Sequence, residues 1–387
     1  MSATPPDAGN WLAPTWCRLA VFALATRLVT LVVGILLGPA QPGDHWTTEQ
    51  LAFRAEILGG PVPWLEPWVR FDAGFYLAIA REGYHPPADG EGPNAGFLPL
   101  LPALVALAAA VGVNPVLAGV LIPNVAFVAA LACAGRAALR VTYSARSAWL
   151  GCGVLTTYPF AFYFSAPYQE SLYLLAAAGG LLAWYDRRPA LAGLAGMFAA
   201  TARLTAVAFP VGLFVEAVTR RQWPSRGAWM IAMGTATGVA LFGGWMWVTL
   251  GDPLAHFRAH AAWGRESPSL GGVGRALLQA ARELVQWERP YPVVKPIVLF
   301  GTFALGIRGW VKRGPLWGCL ILIPVGQALS TGTTLSIERI VLTCFPAAFE
   351  LGEVLGRSRM MQLAWLVVAV RAQLFFLWLF VNNGFLN

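Results

Sequence analysis

Six stretches of sixteen residues or more contain no Asp, Glu, Lys or Arg: 28–43, 92–135, 147–169, 227–251, 314–337 and 372–387. A helix needs about 20 apolar residues to cross the hydrocarbon layer of a bilayer. Composition points the same way: 57% of residues are hydrophobic and 12% charged, against about 25% charged in soluble domains. The expected fold class is an all-α polytopic membrane protein, with residues 1–387 forming a single transmembrane domain.

Spans are expected at 16–38, 97–112, 115–135, 147–165, 171–185, 189–202, 204–218, 227–250, 293–310, 315–331, 339–355 and 361–381. Several are too short to cross unaided, so about ten to twelve membrane segments are expected, some re-entrant. The net charge of +8 is spread as short basic clusters between apolar runs, which is the look of cytoplasmic membrane loops and not of a nucleic-acid surface. Arg136/Arg140/Arg146, Arg187/Arg188, Arg220/Arg221/Arg226, Arg308/Lys312/Arg313 and Arg357/Arg359 are therefore expected on the cytoplasmic side. The opposite face receives loop 39–95, the breaks near 165–170 and 203, loop 251–292 and the turn 331–338. If 97–112 and 115–135 both crossed, the Arg136 cluster would fall outside. Segment 97–112 is therefore expected to dip in and return, a local exception to the charge rule being the alternative. A one-sided set of long polar loops suits an enzyme with an extracytoplasmic site better than a transporter, which needs access from both sides.

The first apolar run lacks a basic leader and a small-residue cleavage site, so it is expected to be retained as a helix. Cys17, Cys133, Cys152, Cys319 and Cys344 form no CxxC pair and read as packing residues. The richness in Ala, Gly and Arg suggests a GC-rich bacterial genome and hence a bacterial plasma membrane.

The run RFDAGFYLAIAREGY at 70–84 places Asp72 beside Phe71, Phe75, Tyr76, Ile79 and Ala80, which share one face at helical spacing. It reads as an amphipathic helix at the membrane surface, where a carboxylate reaches both a lipid headgroup and an aqueous hydroxyl. The bland alternative is a solvated interfacial charge. In YPFAFYFSAPYQESLY at 158–173, Glu170 is either a helix-start charge favoured by the dipole or a partner of a sugar hydroxyl or a cation, with Tyr168 and Gln169 able to add hydrogen bonds. Arg203 interrupts apolar residues 189–218. An arginine at mid-membrane costs about 2.5–3.5 kcal/mol on insertion scales, so it either faces a polar cavity, where its fork suits a phosphate, or marks a turn between two short helices.

Arg27, inside the first span, reads as structural. Glu338-Arg339 in SIERIVLTCFP is either a solvated cap or part of a phosphate site. His256 and His260 stand four apart, but position 257 is Phe, so no HExxH motif exists and no metal is expected. Binding of substrate hydroxyls or phosphate suits His256 better, and Trp263 and Arg265 nearby are suited to stack on a sugar or pair with an anion. No Walker A, GxGxxG or serine elbow is present.

In these stretches the chain resembles the GPI α-1,6-mannosyltransferase family and its bacterial relatives, within the GT-C superfamily. The matching segments are RFDAGFYLAIAREGY at 70–84, GFLPLLP at 96–102, SAPYQESLY at 165–173 and the arginine-bearing helix near 203, with SIERIVLTCFP at 336–346 a looser match. Two positions depart from the family pattern: Phe71 stands where a tryptophan is usual, and Leu204-Thr205 where Asn-Gly is usual. The resemblance implies a GT-C helical bundle with an interfacial helix in its first extracytoplasmic loop. It implies an inverting transfer of mannose or another sugar from a polyprenyl-phosphate donor to a glycan, lipid or protein acceptor. Asp72 would be the base, while Glu170, Arg203, Tyr168, His256 and Arg339 would bind substrate; no cofactor is required. A secondary transporter or flippase of lipid-linked sugars is the competing reading, and it predicts two related halves with charges meeting at mid-bilayer.

Overall fold

The computed structural model describes residues 8–38, 48–87, 93–141, 143–285 and 290–382. Every regular element among them is helical. The first is α1 (Ala8–Leu36), followed by α2 (Thr48–Gly59), α3 (Asp72–Glu82), α4 (Leu100–Ala110), α5 (Pro115–Arg140) and α6 (Ala145–Thr157). Then come α7 (Glu170–Tyr185), α8 (Pro189–Ala202), α9 (Ala208–Thr219), α10 (Arg226–Leu250), α11 (Ala255–Ala259) and α12 (Leu270–Val285). The chain closes with α13 (Pro290–Arg313), α14 (Pro315–Ser330), α15 (Ile337–Thr343), α16 (Phe345–Leu355) and α17 (Arg359–Val381).

Five of these contain a segment long and apolar enough to cross a membrane: Trp16–Leu36, Pro115–Arg140, Arg226–Leu250, Val293–Arg313 and Arg359–Val381. Large apolar side chains such as Val21, Leu28, Val29, Trp247, Val248, Leu363 and Val368 lie exposed along them. So much exposed apolar surface is a lipid-facing surface, and the chain is a multi-pass membrane protein. The five are not equivalent. The apolar window of α5 is 61% buried, against 28–33% in the other four, so α5 forms the centre and the others the lipid-facing shell.

Local chemistry sets the ends. The Asn114 side chain accepts from the Val116 and Leu117 amides at 3.0 and 3.1 Å and starts α5. Ser144 and Ser225 cap α6 and α10 in the same manner. Prolines shorten two expected spans. Segment 147–165 stops at Thr157 because Tyr158, before Pro159, is forced extended with ψ 138°. Segment 339–355 breaks at Cys344 into α15 and α16, ahead of Pro346. Helix α4 has 11 residues, too few to cross alone, which suits a path that dips and returns.

Close helix contacts depend on missing side chains. A Cβ on Gly234 of α10 would collide with the Gly193 carbonyl of α8, and one on Gly352 of α16 with the Gly151 amide of α6. Such small-residue seams let membrane helices approach backbone to backbone. Arg27 is 1% exposed; it donates to the Ala161 carbonyl at 2.7 Å and lies over the Phe127 ring at 4.5 Å. It ties α1 to the turn before α7 and is structural, as its position suggested.

Candidate active site

Helix α3 forms as the run at 70–84 predicted, but its apolar side turns inward. Ala73, Tyr76, Leu77 and Ile79 are buried, and Phe97 stacks on Phe75 at 4.5 Å and edge-on to Tyr76 at 5.3 Å. The helix therefore packs on the protein through its apolar face, where the sequence suggested lipid. Asp72 opens its first turn, where the helix dipole favours a carboxylate. Phe71, just before it, has φ 51°, a left-handed conformation costly for a non-glycine residue. Neighbouring contacts hold that strained link. Buried Arg70 donates to the Val381 carbonyl at 2.9 Å and pairs with fully buried Glu66, which also accepts from Arg54 at 2.7 Å.

The second motif is pinned from three sides. Asn124 donates to the Ser165 carbonyl at 3.1 Å, Ser171 to the Phe164 carbonyl at 2.8 Å, and Gln169 to the Leu98 carbonyl at 2.5 Å. The result is that Glu170, 1% exposed, begins α7 at a fixed point. The Tyr168 hydroxyl donates to the Arg70 carbonyl at 3.0 Å. That bond engages the hydroxyl expected to meet substrate, and the ring is left to face its neighbours.

Arg339 joins the two motifs. Its Nη1 donates to Asp72 Oδ2 at 2.5 Å, and its Nε and Nη2 reach Glu170 Oε1, each at 2.9 Å. The guanidinium lies 4.5 Å from the Tyr168 ring centroid and 5.2 Å from that of Tyr163, favourable cation–π positions. The residue that opens its helix, Ser336, is also left-handed, with φ 60°. Glu338 is 4% exposed, so the solvated-cap reading of this acid-base pair is corrected: both side chains are inside the protein. Arg203 sits at the break between α8 and α9, extended with φ −152°, and its Nη1 donates to Glu170 Oε1 at 3.2 Å. The break is the two-helix turn anticipated as one alternative, and the side chain still points to an acid.

Asp72, Glu170, Arg203, Arg339 and the Tyr168 ring thus meet in one place. His256 stands apart. Its Nδ1 lies 3.0 Å from the Ala95 carbonyl and its Nε2 3.2 Å from His260 Nε2. A carbonyl can only accept, so Nδ1 carries the proton and His256 Nε2 accepts from His260. Burial lowers His256 to about 4, and burial together with the neighbouring His256 lowers His260 to about 3, so both are neutral near pH 7. Both ring nitrogens of His256 thus have partners within the protein.

Arg265 was not singled out with equal weight by the sequence. Its pKa is lowered, chiefly by burial and then by the charges of Arg339 and Arg203, while Asp72 and Glu338 oppose the shift. It thus shares the electrostatic field of the site. Among the described residues its guanidinium has no hydrogen bond or ion pair. The side chain of Trp263 lies outside the described residues.

No protein-family model matches the sequence, and no curated protein matches it. Several solved structures align with the chain at TM-scores below 0.5. The oligosaccharyltransferase of Archaeoglobus fulgidus in its apo form aligns with a TM-score of 0.49 and 12% identity, over 94% of this chain and 56% of that one. The arabinofuranosyltransferase AftD from Mycobacteria aligns with a TM-score of 0.44 and 18% identity, over 94% and 27%. The archaeal oligosaccharyltransferase AglB from Archaeoglobus fulgidus, in complex with an inhibitory peptide and a dolichol-phosphate, gives 0.43 and 12%, over 94% and 55%. The chain spans about half the length, or less, of these structures.

Proposed function

We propose that this chain is an inverting glycosyltransferase of the GT-C type, akin to the GPI α-1,6-mannosyltransferases. It moves a sugar, mannose by the motif resemblance, from a polyprenyl-phosphate donor to an acceptor hydroxyl at the extracytoplasmic surface. The acceptor is a glycan, a lipid or a protein. The observation that carries the reading is the single guanidinium of Arg339 clamped between Asp72 and Glu170, two acids from the two motifs that define the resemblance.

The chemistry follows from that clamp. Asp72 Oδ2 is held by Arg339, whereas Oδ1 has no partner among the described residues and the side chain is 29% exposed. Oδ1 takes the proton of an acceptor hydroxyl brought within about 2.6–3.2 Å. The acceptor oxygen forms its bond to the anomeric carbon from the face opposite the phosphate. The bond from that carbon to the phosphate oxygen breaks, its electron pair leaves with polyprenyl phosphate, and the anomeric centre inverts. Arg265 offers its unpaired fork to the phosphate. Protonation removes the charge of Asp72, so Arg339 loses one counter-ion just as negative charge grows on the leaving group. Its cation then stabilises that charge, as a preorganised donor should. Glu170 stays buried and keeps Arg339 and Arg203 in place.

The test is a full-length chain in proteoliposomes supplied with labelled polyprenyl-phosphate mannose and an acceptor extract. Label should enter the acceptor, and Asp72→Asn should abolish transfer without loss of fold. Label that crosses the bilayer with no transfer would make the protein a flippase. Full turnover by a folded Asp72→Asn chain would remove Asp72 from the base role.

A further inference from the structure

At the far end of α7 from Glu170 lies a second charged feature that the transfer chemistry does not use. Helix α7 runs from Glu170 to Tyr185, so its last turn is about 22 Å from the site at 1.5 Å per residue. There an open, shallow depression of about 370 Å³ is lined by Arg136, Arg140, Tyr185, Asp186, Arg187 and Arg188. Four guanidinium groups face one carboxylate. Asp186 is shared by Arg140 at 2.8 Å and Arg136 at 3.7 Å. Arg187 and Arg188 are exposed and have no ion pair among the described residues. Arg136 Nε is buried without a hydrogen-bond partner.

Three further observations describe the setting of the arginines. Arg187 is held left-handed at φ 57°, a conformation a long side chain rarely adopts. The 14-residue helix α8 begins directly after Arg188, and its amides beyond Pro189 add positive potential, offset in part by the carbonyl end of α7 at Tyr185. Trp16 of α1 lies over Arg136 at 5.4 Å. Tryptophan favours the headgroup layer, and the basic clusters assign this end to the cytoplasmic side.

We infer that this pocket binds the phosphodiester headgroup of an anionic membrane lipid. Planar guanidinium forks match phosphate oxygens two by two, and basic pockets between membrane helices at this depth suit such headgroups. The inference does not depend on the transferase reading.

The full chain in detergent is titrated with phosphatidylglycerol, phosphatidylcholine or inorganic phosphate, and bound ligand is counted by native mass spectrometry. Phosphatidylglycerol should bind well above phosphatidylcholine. Each arginine near an anionic headgroup is worth about fivefold in affinity. Arg187→Gly, which also relieves the left-handed backbone, should therefore weaken phosphatidylglycerol about fivefold, and adding Arg188→Gln about 30-fold in all. Asp186→Asn, which removes the one opposing charge, should tighten binding. Equal binding of the two lipids, or unchanged binding in the Arg187→Gly chain, overturns the inference. Saturable binding of inorganic phosphate that phosphatidylglycerol fails to displace assigns the pocket to a free anion and overturns the lipid assignment.

Discussion

Asp72 and Glu170 both hold Arg339, yet replacing each by its amide should damage different properties. Glu170 is 1% exposed and accepts from Arg339 Nε and Nη2 and from Arg203 Nη1, all at Oε1. Glu170→Gln keeps the shape and removes the charge. Arg203 is then left facing no carboxylate, and Arg339 retains only Asp72. Breaking one side of a buried ion pair costs about 3–5 kcal/mol. Arg203 is 18% exposed, so water reaches it and the lower end, about 3 kcal/mol, is expected. Asp72 is 29% exposed, and its loss leaves Arg339 paired with Glu170, so Asp72→Asn should cost about 1 kcal/mol or less. On the rate the order reverses. Removing a general base slows the reaction about a hundredfold to ten-thousandfold, or roughly 3–5 kcal/mol of barrier. Thermal unfolding in detergent and label transfer are measured on the same preparations. With about 2 °C per kcal/mol for a large domain, Glu170→Gln should melt about 5 °C early or more, and Asp72→Asn within about 2 °C of the parent. An Asp72→Asn chain that melts as early as Glu170→Gln would make Asp72 structural. A Glu170→Gln chain with unchanged melting and transfer would refute the buried counter-charge.

Three further outcomes are expected. Arg265→Gln should raise KM for the donor about tenfold with a smaller change in kcat, as loss of a charge-assisted phosphate contact requires; an unchanged KM excludes that contact. For the histidine pair the sign is set by lowered pKa values, about 4 and about 3 against 6.5. The unfolded chain takes up protons first, so stability is full above pH 6.5 and falls as pH drops, by about 2 kcal/mol per histidine at pH 5. The double variant His256→Gln/His260→Gln should flatten that slope, and a slope identical to the parent's would show that other groups cause it. Gly234→Leu should separate α8 from α10 and abolish the folded fraction on size-exclusion chromatography; normal yield would mean the seam adjusts.

Helices were legible where one physical term dominates. Segment 189–202 matches α8 because Pro189 opens it and Arg203 ends its apolar run. The breaks at Pro159 and Pro346 were written in the sequence too, but a hydropathy reading averages over one residue and ran through both. The inward turn of α3 was not legible at all. An apolar stripe states that something covers it, and lipid and protein are equally apolar covers.

The site was legible as separate acids and bases, and its connections were not. Arg339 is 267 residues from Asp72 and 169 from Glu170, a separation no local pattern spans. Beside Glu338 it looked like an exposed cap, because neighbouring opposite charges usually satisfy one another in water. Burial changes that logic. Arg203, Arg265 and Arg339 stand against Asp72, Glu170 and Glu338, so the resting site is formally balanced at three charges each. In the proposed transfer, a donor phosphate entering this balance would add an uncompensated negative charge, and proton uptake by Asp72 would remove one. Under the proposed function, donor binding and base action would be coupled through Arg339. Under that reading, phosphate bound near the guanidinium would compete with Asp72 for it. Under the proposed transfer, the 2.5 Å bond from Arg339 would fix Asp72 Oδ2 and leave Oδ1 turned to an incoming hydroxyl, so the arginine would serve to orient the base as well as to offset charge.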